Sequence, residues 1–452
     1  MISTRVIEAR DNILSSGRLV YALIILPASA CSVYICSQSP PTECHIKIER
    51  ISYRIRLMRI LHISSLYHPD QIGGAEVMVE LLAETQAAAG HSVAVACISR
   101  HEEPPDLRNG VTIYRTGFAT PYFIMDRDKQ SRLNRLRYRL AAKINHEAMR
   151  RFDAAIGDFK PDVVNTHSLS ELPPQIWTVA KRRGVAVVHT IHDYKSICSK
   201  GSMFRDGKAC DAQHLKCRLI SHPHYQHQVS VDAITGVGTE ILQRHLEAGL
   251  FGHVPPALRR VIFNPIELPP APRNRQRAAQ SDVVFGYLGR IEPSKGVDTL
   301  LDACRLLPAG GWKLIVAGRA TDGIAPYQAR AAGLSVDFAG FVQRDAFFDQ
   351  IDCLVVPAVW PEAFGRTVAE ALMRGLPVIG SGVAGIAEQI GDEAHWLFPP
   401  GDAGALAERM KVVLNDPACL QQRTKAMDQI ASRVSPDEVT RRYLDLYRSA
   451  LQ

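Results

Sequence analysis

Two carboxylates, Glu362 and Glu370, stand in the stretch PEAFGRTVAEALMRGLPVIGS (361–381), one just before a helix start and one inside the apolar stripe that follows. Upstream, GRIEPSKG (289–296) puts Arg290 and Lys295 on one loop between Gly289 and Gly296. Arginine forks two oxygens and lysine adds a mobile point charge, so this loop suits a diphosphate. A helix opening at about Arg366 turns free amides and its positive dipole end toward the same anion. Glu362 would repel a phosphate that it faced, so it is read as accepting hydrogen bonds from neutral hydroxyls, with Gly365 allowing close backbone approach. Glu370 has Ala369, Ala371 and Leu372 as neighbours, which make the helix largely buried. A buried carboxylate needs partners, and a vicinal diol such as ribose fits.

The first half carries its own candidates. His192 ends an apolar strand beside Asp193, and Gly73 and Gly74 in GGAE (73–76) follow one strand and open a helix. GGAE is not GxGxxG, and no acidic residue follows at the offset a nicotinamide site requires, so a dinucleotide cofactor is poorly supported.

These residues need a scaffold, and the pattern supplies two. From Met58 short apolar runs (RILHIS, HSVAVACIS, VTIYRT, DVVNTH, VAVVHTIHD, VDAITGV) alternate with amphipathic stretches such as 75–89 and 239–248, each ended by glycine. Residues 264–282 are proline-rich, then basic and polar, and read as a linker. The alternation restarts with VVFGYLGR, KLIVAG, VDFAGF, DCLVVPA and LPVIGS, with helices at 297–307, 345–351, 366–374 and 402–415. Ser435, Pro436 and Glu438 form a capping-box signature before a last helix. The expected organisation is an extension over 1–57, a Rossmann-like domain over 58–263, a second over 283–434, and a terminal helix over 435–452 crossing back to the first. The fold class is α/β, with two doubly wound sheets facing across a cleft and ligands at the carboxyl ends of their strands.

Length and composition agree with two domains: 452 residues, of which 46% are hydrophobic. Of a formal net charge of +7, residues 127–151 hold the equivalent of the whole excess, nine Lys/Arg against Asp128 and Glu147. Ten scattered cysteines read as reduced thiols in a reducing compartment rather than a disulfide scaffold. In the extension, LVYALIILPASACSVYIC (19–36) is apolar over about a membrane span, interrupted by Pro27. An upstream extension outside the fold is the favoured reading of 1–57; a membrane anchor and a processed signal are the alternatives.

Taken together, the motifs resemble those of the family-four retaining glycosyltransferases, also called glycosyl transferases group 1, many of which build bacterial polysaccharide, lipopolysaccharide and glycolipid. The family's Glu, seven residues, Glu, then Gly-Leu-Pro-Val is matched by Glu362, Glu370 and GLPVIGS; GRIEPSKG is similar to its diphosphate loop, GGAE to its acceptor-side glycine loop, and TIHDYKSIC (190–198) to its His-Asp segment. The likeness covers about residues 58–450. It implies a GT-B fold and a nucleotide-sugar donor held mainly by the second domain. Arg290 and Lys295 would neutralise the diphosphate, Glu362 would bind hexose hydroxyls, the backbone at Phe364 and Gly365 would position the sugar, and Glu370 would take the ribose. His192 would touch the sugar near its reacting carbon. Gly73, Gly74, Gly289, Arg366 and Thr367 complete the implied donor site.

The same resemblance implies a metal-independent reaction without a cofactor, cations and helix dipoles meeting the charge on the departing phosphate. Retention would come from same-face displacement, so Glu362 is assigned neither as nucleophile nor as base. The implied partners are the nucleotide sugar and a glycan or lipid-linked acceptor, and the implied place is the cytoplasm. Nucleic acid is a poor alternative, because no binding module accompanies the charge. Other readings are an epimerase-like nucleotide-sugar enzyme and a non-catalytic sugar-nucleotide binding subunit.

Two segments go unexplained by the likeness. Residues 198–224 read as an irregular, mobile acceptor-side insertion, with Cys198, Cys210, Cys217 and His214 as a weaker zinc alternative. In RLNRLRYRLAAKINHEAMRRF, Leu133, Leu136, Leu140 and Ile144 share a stripe flanked by Arg132, Arg135, Arg139 and Lys143. Such a helix suits peripheral contact with an anionic membrane through 127–151, on the inner face of the cell membrane; a helix packed on its own domain is the alternative.

Overall fold

The computed structural model describes residues 57–267 and 281–452, apart from 72, 143, 144, 168, 170, 322, 392, 393 and 423, together with four upstream strands. Those strands, Val6–Glu8, Val20–Ile25, Cys31–Ser37 and Ile51–Tyr53, pair antiparallel in chain order. They belong to a unit that ends at Met58, and the rest of 1–56 lies outside the described residues. The described parts of the apolar stretch 19–36 are therefore strands. Among the described residues no helix is long and apolar enough to cross a membrane.

The second unit, Arg59–Gln452, carries both expected sheets. In the first lobe the strands are β1 (Arg59–Ser64), β2 (Ser92–Cys97), β3 (Asp106–Arg108), β4 (Val111–Arg115), β5 (Val163–His167), β6 (Ala186–Ile191), β7 (Ala233–Gly236) and β8 (Arg259–Val261), ordered β8-β7-β6-β5-β1-β2-β4-β3. All neighbours are parallel except β3 with β4. The second lobe has β9 (Val283–Leu288), β10 (Trp312–Ala317), β11 (Val336–Gly340), β12 (Cys353–Val356), β13 (Val378–Ser381) and β14 (Leu397–Phe398), all parallel, ordered β11-β10-β9-β12-β13-β14. Strand order reverses between β1 and β5 and again between β9 and β12. Those two reversals leave crevices at the strands' carboxyl ends, where ligands enter such sheets.

The centre of the first sheet is buried on both faces yet unusually polar: His62, Asn165, Thr166, His167, His189 and Thr190 are all inside. Buried polar groups must find partners, and the terminal helix Pro436–Ala450 provides some. Asn165 Nδ2 donates to the Tyr447 hydroxyl at 2.6 Å, and the Thr190 and Tyr443 hydroxyls lie 3.3 Å apart. The last helix thus packs on the first lobe, beside the helix Gly74–Ala88. Its start is half a capping box. Ser435 Oγ accepts from the Glu438 amide at 3.4 Å, whereas the Glu438 carboxylate turns to Arg441 and Arg442, which hold its pKa down at about 2.

The segment read as a linker begins packed. Asn264 and Ile266 are buried, and the Ile266 amide donates to the Val434 carbonyl at 2.9 Å; residues 268–280 lie outside the described residues. Residues 198–224 are ordered rather than irregular: a hairpin, Phe204–Arg205 with Lys208–Ala209, turns at Asp206 and Gly207, both at positive φ, and the short helices Leu215–Ile220 and His222–His227 follow. Asp-Gly is the dipeptide of a type I′ turn, so the signal was in the sequence.

Candidate functional site

The two loops flanking the second reversal are built as one body. Gly296 sits at φ 73°, and a Cβ there would fall 1.8 Å from the Pro357 carbonyl oxygen, so only glycine lets the β9 loop lie against the β12 loop. The Val359 and Trp360 amides both donate to the Ser294 carbonyl, at 3.0 and 3.3 Å. This docking brings Lys295 Nζ to 2.5 Å from Glu362 Oε2, while Trp360 Nε1 donates to the same oxygen at 3.1 Å and the ammonium sits 4.5 Å over the Trp360 ring. The pair is only partly exposed, 18% and 17%. Glu362, read from the sequence as an acceptor for neutral hydroxyls, also forms a charge-assisted pair with Lys295 here. Arg290 differs. It is 64% exposed and paired with Glu292 at 3.3 Å.

After Glu362 the chain passes Phe364 and Gly365 (φ 75°) into the helix Arg366–Met373. The Gly385 amide donates to the Glu362 carbonyl at 2.9 Å, and Gln389 Nε2 donates to the Phe364 carbonyl, which fixes the turn. Thr367 is half-buried in the helix's first turn. Glu370 is buried, and its Oε1 accepts from Arg366 Nε at 2.7 Å and from Arg344 at 3.0 Å. Its Oε2 is buried without a partner. A buried carboxyl oxygen in that state is an open acceptor, and a ligand hydroxyl would satisfy it.

Sequence reasoning missed the cavity alongside. About 470 Å³ opens at the carboxyl ends of β9, β10 and β11, lined by Ile291, Arg319, Ile324, Phe338, Gly340 and Phe341. Its floor depends on Gly318 (φ 141°), where a Cβ would stand 1.8 Å from the Gly289 carbonyl oxygen. Phe341 is 90% exposed at the rim. An aromatic directly after a short apolar strand, in VDFAGF, was the available signal.

Across the cleft, Gly73 donates its amide to Glu76 Oε2 at 2.9 Å and Gly74 opens the helix Gly74–Ala88. A Cβ at Gly74 would sit 3.7 Å from Arg366 Cδ, ordinary contact, so the first lobe's glycine loop faces the second lobe's helix start. Neither glycine is required by protein packing, since a Cβ at Gly73 would meet only Glu76 Oε2, at 3.5 Å, and one at Gly74 only Arg366. His192 follows β6, half-buried; its Nε2 is 3.1 Å from His167 Nδ1, and burial lowers its pKa to about 3, which makes it a neutral ring. Two residues on, the Tyr194 phenol feels the Glu362 carboxylate, so this segment lies near Glu362 of the second lobe. The carboxyls of Glu76 and Glu171 are both raised by burial, and neither was singled out from sequence.

The lobes meet beside this site. Glu388 accepts from the Thr239 amide and hydroxyl, both at 2.7 Å, and from Arg433. Phe263 packs edge-on to Phe364 with centroids 5.4 Å apart. Among the described residues no three His, Cys, Asp or Glu side chains are arranged to hold a metal ion; Cys217 Sγ lies 3.6 Å from Ser199 Oγ. On the basic segment, the helix Arg132–Ala141 leaves Leu133 and Leu136 exposed, 58% and 53%, and buries Tyr138 against Tyr122. The side chains of Arg139 and Leu140, and residues Lys143 and Ile144, lie outside the described residues.

Comparison with known proteins matches residues 73–265 to the description "Glycosyl transferase 4-like domain" and residues 271–433 to "Glycosyl transferases group 1". A 42.6 kDa uncharacterized protein of the cps region of Klebsiella pneumoniae is 31% identical over 332 residues, 73% of this chain and 87% of that one. The glycogen synthase of Mycobacterium tuberculosis is 26% identical, covering 82% of this chain and 90% of its own. In structure, the Anabaena protein HepE in complex with UDP-glucose superposes with a TM-score of 0.61 at 15% identity, over 87% of this chain and all of that chain. The architecture is that of the GT-B enzymes.

Proposed function

The chain belongs to the glycosyl transferases group 1 and is a glycosyltransferase; from that premise we propose that it is a retaining hexosyltransferase that moves a sugar from a nucleotide donor to a glycan or lipid-linked acceptor, in bacterial surface polysaccharide or glycolipid synthesis. The observation that carries the reading is the Lys295–Glu362 pair, set just before the helix whose buried Glu370 has an oxygen without a partner, in the same lobe as the Phe341 cavity. In this reading each takes one part of a nucleotide sugar. The base enters the cavity against Phe341, ribose hydroxyls donate to Glu370 Oε2, and the diphosphate takes Lys295, Arg290 and the amides that open the Arg366 helix. Donor binding then exchanges one ion pair for another. Lys295 leaves the carboxylate for the diphosphate, which frees Glu362 to accept from hexose hydroxyls, while His192, Phe364 and Gly365 border the sugar.

Catalysis in this reading is electrostatic. Negative charge grows on the departing diphosphate and is met by cations already in place, without a metal ion, so a chelator leaves turnover unchanged. A relative that binds UDP-glucose favours a nucleotide donor. The experiment is a thermal-shift series of nucleoside diphosphates and their sugars on the native chain and on Phe341→Ala. A ligand that binds only the folded state raises the melting point, and loss of one base-stacking contact should weaken it about tenfold or more. No shift with any nucleoside diphosphate rejects the reading.

We place the enzyme in the cytoplasm with peripheral contact to an anionic membrane through 127–151. Exposed Leu133 and Leu136 beside arginines support that contact. Flotation with anionic liposomes should carry the native chain and lose the triple change Arg135, Arg137 and Arg139→Glu; equal flotation of both removes the membrane from the account.

A further inference from the structure

Three histidines, on or directly after three adjacent strands, form a line through the first lobe, and the reaction as described uses only the last of them, His192. His62 on β1 has Nε2 2.8 Å from Gln86 Oε1 and Nδ1 2.9 Å from His167 Nε2; His167, at the end of β5, has Nδ1 3.1 Å from Nε2 of His192, which follows β6. His62 and His167 are fully buried, so no water competes for these contacts. Gln86 lies on the helix that Gly74 opens, and the far end of the line reaches the cleft.

We propose that Gln86, His62 and His167 are positioning residues that decide which nitrogen of His192 carries its proton. Each contact between two ring nitrogens holds one hydrogen, because two N–H groups would collide and two lone pairs would repel. A carbonyl oxygen only accepts, so the hydrogen between Gln86 and His62 belongs to His62 Nε2. A neutral His62 then has a bare Nδ1, which accepts from His167 Nε2; His167 Nδ1 is bare in turn and accepts from His192 Nε2. The pattern ends at His192 with Nε2–H turned inward and Nδ1 as a lone-pair acceptor. Burial lowers the pKa of all three rings, which keeps them neutral and the pattern intact. Turning the Gln86 amide over would reverse every bond and make His192 Nδ1 a donor.

The consequence rests on the transferase reading given above: His192 Nδ1 accepts a hydrogen bond from a sugar or acceptor hydroxyl and holds it in one orientation. Fixing a ring through partners that never touch substrate is what outer-layer hydrogen bonds do for histidines elsewhere, and their loss costs on the order of tenfold in activity.

The test labels the full chain with ¹⁵N-histidine and reads the ring nitrogens of His192 near neutral pH, assigned by the signals lost in His192→Asn. The expected spectrum has a hydrogen-bearing Nε2 and a bare Nδ1; the opposite form, or a signal averaged between the two, overturns the proposal. In Gln86→Leu the chain loses its terminal acceptor. The His192 signals should then average, and kcat should fall about tenfold with the donor KM changed by less than about twofold. Unchanged signals and unchanged kcat in that variant overturn it too. Should Gln86→Leu fail to fold, the native spectrum decides. The spectrum does not depend on turnover, so an inactive chain would sink the transferase reading and leave this one standing, and an averaged signal would do the reverse.

Discussion

Lys295→Met is expected to lower kcat by roughly 100- to 1,000-fold, the loss seen when one preorganised group at a charge-developing position is removed. Lys295 is the cation held inside the site: Glu362 at 2.5 Å and the Trp360 face keep it aimed, and it is 18% exposed. Arg290, at 64% exposure, pays an ordering cost before it helps, so its removal should do less. The loss must be separated from damage to the fold, because methionine leaves Glu362 with a single donor from Trp360. Pairing Lys295→Met with Glu362→Gln removes the stranded charge and should recover melting temperature without recovering turnover. Steady-state rates together with melting curves for the two variants give the answer. Native turnover in Lys295→Met would end the electrostatic account.

Acid is expected to unfold the second unit of the chain early. His62 and His245 are fully buried, and desolvation lowers each from 6.5 to about 4. His167 and His189 are lowered well below 6.5 for the same reason. The unfolded chain therefore binds protons that the folded chain refuses, so the stability these rings permit is fully present above 6.5 and drains away as pH falls toward 4. For His62 and His245 the loss is roughly 3 kcal/mol each by the time pH 4 is reached. Glu76 and Glu171, raised by burial, work the other way and soften the fall. His245 separates the contributions well: its Nδ1 meets the Ile241 carbonyl at 2.7 Å, its Nε2 is buried without a partner, and the ring stacks on Tyr194. His245→Phe should flatten the decline of melting temperature with pH; parallel curves for the two proteins would assign the acid sensitivity elsewhere.

The fold and half of the candidate site were legible because they are local. Eleven apolar runs became strands, most of them buried and the edge strand β11 not, since short β-branched runs between turn residues have few other options. The edge strands β3, β8 and β14 were not legible: they are two or three residues long, and pairing with a neighbour, not their own composition, makes them strands. At the site, Arg290, Lys295, Glu362 and Glu370 could be named from charge type and spacing. Their mutual arrangement could not, because the Lys295–Glu362 contact depends on how Gly296 seats one loop on another across 67 residues of chain. The Phe341 cavity and the histidine line are assembled from three strands apiece and have no contiguous pattern to read.

One small contact governs how the halves of Arg59–Gln452 can move. The chain passes between lobes twice, near Ile266 and again near Val434, and the two passages are hydrogen-bonded to each other at 2.9 Å. Paired crossings make a single axle. Swinging about it changes a few backbone torsions, whereas sliding one lobe past the other would shear the axle and strip Thr239 from Glu388. Opening of the cleft is therefore a jaw-like rotation whose gape widens with distance from residues 266 and 434.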